Sequence, residues 1–112
     1  MTKDENIEEI VDEINEIRDE YMEKAERLRG KELMIDKIEK TVESLKDEND
    51  DEEVYEVQGR ALIPRTAKEL KEKLKDEKKD NEKEIKEFSE RVEELQETIK
   101  EKRTKLQELA EG

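Results

Sequence analysis

From Ile7 onward, apolar side chains recur at alternating steps of three and four, and the rhythm holds as far as Leu45. Counted in heptads, the a slots hold Ile7, Ile14, Tyr21, Leu28, Ile35 and Val42, and the d slots hold Ile10, Ile17, Lys24, Lys31, Ile38 and Leu45. Only Lys24 and Lys31 interrupt the stripe. Such a repeat commits a segment to a helix that must share one narrow seam with another helix. A second run obeys the same rule. Its a slots include Ile85, Val92, Ile99 and Leu106, and its d slots include Ala67, Leu74, Phe88, Leu95 and Leu109. Lys71, Lys78, Asn81 and Lys102 are its polar interruptions. Asn81 either sets register at some cost in stability or is a tolerated polar site in a loose seam.

The repeat matters because composition alone leaves disorder open. Charged residues make up 54% of the chain and apolar residues 29%, too little to build a compact core. Richness in Ala, Glu, Lys, Leu and Arg with a repeat near 3.5 residues points instead to a helical rod. With 112 residues, the chain is expected to be a single domain over 1–112: helix over 3–49, a β-hairpin over 54–63, and helix over 66–110. Thr2 with Glu5, and Thr66 with Glu69, have the spacing of helix-capping pairs. Gly30 lies inside the first segment and is a plausible site for a kink. Met22 and Met34 fall off the strict seam, where methionine acts as filler or as an adaptable contact.

Between the helices the pattern changes. The stretch "KDENDDEE", 46–53, ends the first helix by crowding Asp and Asn. It lacks the mid-loop glycine and ligand spacing of a calcium loop, so it reads as a solvated acidic connector. Strands are expected at about Val54–Val57 and Ala61–Ile63 around a Gln58-Gly59 turn. Tyr55, Val57, Ala61 and Ile63 share one parity in this reading, with Glu56, Gln58 and Arg60 on the other. Leu62 and Val54 break the polar face. Pro64 stops the ladder or marks an edge.

A lone two-stranded hairpin is marginal in water, and its unpaired edges invite other chains. A rod of two helices offers little surface to cover it. Val54, Tyr55, Val57, Gly59, Ala61, Leu62 and Ile63 are therefore the candidate oligomerisation residues. The alternative is a hairpin folded back on its own helices. The expected fold is mostly α: a long antiparallel coiled-coil hairpin whose central β-hairpin assembles with others into an oligomeric β-barrel platform. Symmetry about the turn brings Leu45 near Leu70, Leu28 near Phe88, Ile17 near Ile99 and Ile7 near Leu109.

Helix, acidic connector, "VYEVQGRALI" and "RTAKEL" followed by helix strongly resemble the β-class subunits of prefoldin. The specific part is Val54, Tyr55, Gly59, Leu62 and Ile63, followed by Lys68-Glu69-Leu70, and one hairpin rather than two marks the β class. The resemblance implies a hexamer with α-class prefoldin subunits and other β-class copies. It implies capture of unfolded client proteins at the coiled-coil tips without ATP, and their transfer to a group II chaperonin. At the tips lie Ile7, Ile10, Val11 and Ile14 with Leu106, Leu109 and Ala110. Of these, Ile7, Ile10, Val11, Ile14, Leu106 and Leu109 are the candidate client contacts; the competing role is closure of the coiled coil. Two other functions fit the same layout: a structural coiled-coil assembly module, and a homo-oligomer of the same shape without client transfer.

Other classes find little in the sequence. Net charge is −13, and the lysines alternate with acids, which speaks against nucleic acid as a partner. There is no cysteine and no histidine, and no glycine-rich phosphate loop. Carboxylates at helical spacing are too common here to signal acid–base or metal chemistry. No enzyme activity, cofactor or metal is expected. No apolar run approaches membrane length and no signal-peptide core is recognisable, so a cytoplasmic protein with no membrane partner is expected.

Overall fold

The computed structural model describes residues 2–112. In chain order the elements are α1 (Lys3–Ser44), β1 (Glu53–Gln58), β2 (Ala61–Thr66) and α2 (Ala67–Glu111). The residues up to Arg29 form one compact unit with Ile85–Gly112, and Gly30–Glu84 form another.

Both helix starts are capped as the sequence suggests. The Thr2 hydroxyl accepts from Glu5 N–H at 3.2 Å. The Thr66 hydroxyl accepts from Glu69 N–H at 3.1 Å and donates to the Glu69 carboxylate at 3.0 Å. Each bond satisfies a backbone donor that a helix start leaves open. The other end of α1 departs from expectation, stopping at Ser44 rather than at 49. The Ser44 hydroxyl turns back to the Thr41 carbonyl at 2.7 Å. Leu45 N–H is shared between the Thr41 and Val42 carbonyls, and Lys46 N–H bonds Glu43. The helix thus tightens into a turn before the acidic connector begins. Gly30 remains helical.

In the Gly30–Glu84 unit, Ile38, Leu45, Leu70 and Leu74 form a buried cluster, with Val54 of β1 packed on it. Leu45 and Leu70 meet as symmetry about the turn predicts. Val42, an a-slot residue, is 39% exposed, while Leu70, outside the counted seam, is buried. In the other unit, Ile10, Ile14, Leu95 and Ile99 are buried.

Polar bonds tie the helices antiparallel within each unit. Lys102 reaches Glu13 at 2.6 Å, and Arg91 grips the Glu20 carboxylate with two nitrogens at 2.9 and 3.0 Å. In the second unit Lys31 pairs with Glu84, and Lys78 with Glu39. The seam lysines are therefore partnered rather than stranded. Lys24, the remaining d-slot lysine of α1, lies 5.7 Å from the centre of the Phe88 ring, within range of a cation–π contact. Asn81 donates to the Glu77 carbonyl of its own helix at 2.8 Å, which is the tolerated-site alternative rather than a cross-helix lock.

The strands are longer than expected and their turn is displaced by one residue. Gln58 pairs with Ala61, so Gly59 and Arg60 form the loop. Gly59 has φ +60° and no other residue of the described chain has a positive φ. Positive φ at the first loop residue alone is the pattern of a type II′ turn, whose twist suits an antiparallel hairpin.

Candidate functional site

The displaced turn re-sorts the hairpin's two faces. Residues directly opposite each other share a face. Tyr55 faces Pro64 and Val57 faces Leu62, whereas Glu56 faces Ile63 and Val54 faces Arg65. The expected grouping of Tyr55 and Val57 with Ala61 and Ile63 is therefore incorrect. A one-residue shift in the turn carries every β2 side chain to the other side.

One face is closed by the chain itself. Val54 packs on the helical cluster. The Glu56 side chain, 12% exposed, accepts from Lys73 Nζ at 2.7 Å and from Arg65 Nε at 3.3 Å. Gln58 Nε2 donates to the same carboxylate. The Lys73 hydrogen bond above all, against a smaller opposing effect of burial, holds the Glu56 carboxyl below its ordinary pKa. Ile63 and Arg65 are half-buried on this side.

The opposite face is bare. Tyr55, Val57 and Leu62 are 57%, 69% and 65% exposed, and Pro64 beside them is exposed. Three large apolar side chains thus share one exposed patch of a two-stranded sheet, which makes it a candidate interaction surface. Of the other candidate oligomerisation residues, Ala61 and Gly59 are exposed near the turn.

The strand edges differ from each other. Ala67 N–H donates to the Glu52 carbonyl at 2.8 Å, which fixes that pair as a hydrogen-bonded one. Alternation along an antiparallel ladder then makes 55–64 and 57–62 non-bonded pairs, with their backbone polar groups turned outward. Along β1, Glu53, Tyr55 and Val57 each offer a donor and an acceptor. Along β2, Pro64 sits in the middle of the edge and has no N–H. Pro64 therefore stays inside the ladder without breaking it, and blunts only the outer edge of β2. Beside the open β1 edge lies a hollow floored by Thr41, Leu70, Lys73 and Leu74.

At the helix ends, the candidate client contacts separate by burial. Ile10 and Ile14 are each 6% exposed and belong to the seam. Ile7, Leu106 and Leu109 are half-buried, and Val11 is 38% exposed. Arg91, further along α2, has its pKa raised by its hydrogen bonds to Glu20 and then Glu94.

Sequence reasoning missed the Glu56–Lys73–Arg65 cluster and the role of Pro64. The signal for both was the position of the turn. A two-residue loop beginning at Gly59 places Glu56 opposite Ile63 and puts Pro64 at a position that needs no donor.

The family model described as "Prefoldin subunit" matches residues 8–112. No curated protein matches the sequence at a significant level. Among solved structures, the prefoldin beta subunit from Thermococcus strain KS-1 is similar, with a TM-score of 0.80 at 16% identity, over 92% of this chain and 90% of that one. At that identity the likeness is one of fold: two long helices joined through a single two-stranded antiparallel hairpin. Taken with the family match over nearly the whole sequence, it places the present chain among the prefoldin subunits, with the single-hairpin layout of their β class.

Proposed function

We propose that this chain is an ATP-independent holdase subunit of a cytoplasmic prefoldin-type chaperone. It assembles through its hairpin with α-class subunits and other β-class copies into a hexamer, and its hairpins contribute to a β-barrel platform. Its helix ends hold non-native proteins and pass them to a group II chaperonin. It acts by binding, not by catalysis.

The observation that carries this reading is the bare face of Tyr55, Val57 and Leu62 beside an unpaired β1 edge. A strand from another chain laid along that edge satisfies its backbone groups and covers the adjacent hollow over Leu70 and Leu74. Capture at the helix ends is supported by exposed Val11 and half-buried Ile7, Leu106 and Leu109. Each contact is weak, and several subunits acting together raise the avidity.

The burial of Ile10 and Ile14 favours a second reading, a structural coiled-coil module whose ends only close the seam. Aggregation of a chemically denatured protein, followed by light scattering with and without an α-class partner, separates the two. A holdase suppresses scattering and loses that ability when about ten residues, three turns of helix, are trimmed from each end. Absence of suppression in every mixture removes the holdase reading.

A further inference from the structure

The first unit carries a groove of about 510 Å³ between α1 and α2. Its floor is apolar: Tyr21, Met22 and Ile99. Its rims are cationic, with Arg18 from α1 and Lys100 and Arg103 from α2. The other lining residues, Gln96, Thr104 and Gln107, are uncharged. There is no carboxylate in the lining, although the chain has 37 Asp and Glu among 112 residues. Elsewhere in the same unit a hollow is lined only by acids, Glu5, Glu8, Glu9, Asp12, Glu13 and Glu16.

The lack of acids here begins in the sequence. Side chains three and four apart on a helix are neighbours. Around Arg18 those positions hold Ile14, Asn15, Tyr21 and Met22, and around Arg103 they hold Ile99, Lys100, Leu106 and Gln107. Neither arginine has a carboxylate at helical spacing. Among the described residues none of the three cations has an ion-pair partner, whereas Arg91 and Lys102 in the same unit are clamped by Glu20 and Glu13. Met22 is 62% exposed, and a flexible thioether adapts to varied apolar partners.

We infer that this groove docks an acidic peptide segment carrying a central apolar side chain. The apolar group lies on Met22, Tyr21 and Ile99, and carboxylates on either side reach Arg18 from one helix and Lys100 and Arg103 from the other. Arginine pairs carboxylate with two parallel hydrogen bonds, which adds geometry to charge. A nucleic acid is the poorer occupant: three cations in a chain of net charge −13 neutralise few phosphates. The inference rests on the holdase reading and specifies it. Among client segments, those with acids around an apolar centre are held at this groove, despite the acidic character of the chain as a whole.

The test is fluorescence anisotropy on the full chain with three labelled probes. The first is a short peptide of Asp and Glu around Leu-Phe, the second has Lys at every acidic position, and the third is an oligothymidylate. The acidic peptide is expected to bind at least tenfold more tightly than either of the others, with affinity falling as salt rises. The triple variant Arg18→Gln, Lys100→Gln, Arg103→Gln is expected to lose about tenfold, equivalent to ~1.4 kcal/mol, with its helical circular dichroism intact. Equal or tighter binding of the lysine peptide or the oligonucleotide overturns the inference, and so does an unchanged folded variant. The comparison of probes on the unaltered chain needs no variant to fold. Light scattering of a denatured client separates the two claims. Suppression without acidic-peptide binding sinks the groove and leaves the holdase standing. Peptide binding without suppression does the reverse.

Discussion

Gly59 and Glu56 fix the hairpin's geometry from opposite sides of the problem, one through the backbone and one through charge. Gly59 holds φ +60° with nothing within 4 Å of where a side chain would begin. The cost of replacing it is therefore backbone strain alone, about 1–3 kcal/mol for a β-branched residue. Gly59→Val is expected to lower the thermal midpoint of the hairpin, followed by amide chemical shifts of β1 and β2, while α1 and α2 stay helical. The Glu56 carboxyl is held below its ordinary pKa, first by Lys73. A carboxyl whose folded pKa is depressed stabilises the fold above its unfolded pKa and loses that contribution as pH falls through the folded value. Acid unfolding should therefore be steeper in the wild type than in Glu56→Gln, with the difference confined to pH values below the ordinary carboxylate range. Identical acid limbs in the two proteins would contradict this role.

At the scale of elements, the seam of α1 and α2 is held by apolar layers separated by paired lysines. Lys102 occupies a d slot and reaches Glu13 at 2.6 Å, yet the two side chains are 30% and 40% exposed. A pair so exposed contributes about 0–1 kcal/mol, less than an apolar d residue gains by burial. Lys102→Leu is expected to raise the thermal midpoint of the coiled coil measured by circular dichroism. A fall would mean that the ion pair outweighs packing. This layer structure was legible from the sequence, because a three-and-four repeat leaves one fold for the segment, and the positions counted from Ile7 are buried or half-buried as far as Ile38. The exposure of Val42 and the burial of Leu70 were not, since they depend on how each helix is rotated about its own axis. The hairpin was legible as an element but not in its faces. Gln58-Gly59 and Gly59-Arg60 are both acceptable loops by composition, and only the pairing of Gln58 with Ala61 decides between them. That single choice moves Ile63 next to Glu56 and leaves Leu62 bare beside Val57. At the helix ends the heptad count puts Ile10 and Ile14 in d and a slots and Val11 in an e slot off the seam, and their exposures of 6%, 6% and 38% follow that order.

For the whole molecule, the consequence is a subunit whose two sheet edges differ in their hydrogen-bonding groups. Pro64 removes the central donor from the outer edge of β2, while β1 keeps donors at Glu53, Tyr55 and Val57. Proline at an edge is a device against unwanted strand addition. Pro64→Ala is expected to complete the row of donors on the β2 edge and to broaden the distribution of assembly masses. An unchanged distribution would show that the β2 edge is covered by other means. The central claim, that the bare face of the hairpin is completed by other subunits, is tested most directly by native mass spectrometry of the chain alone and mixed with an α-class prefoldin subunit. The account predicts a defined assembly containing several copies, which Val57→Asp with Leu62→Asp returns to single chains of 13.4 kDa. A wild-type protein that remains at the mass of one chain in both conditions would contradict it.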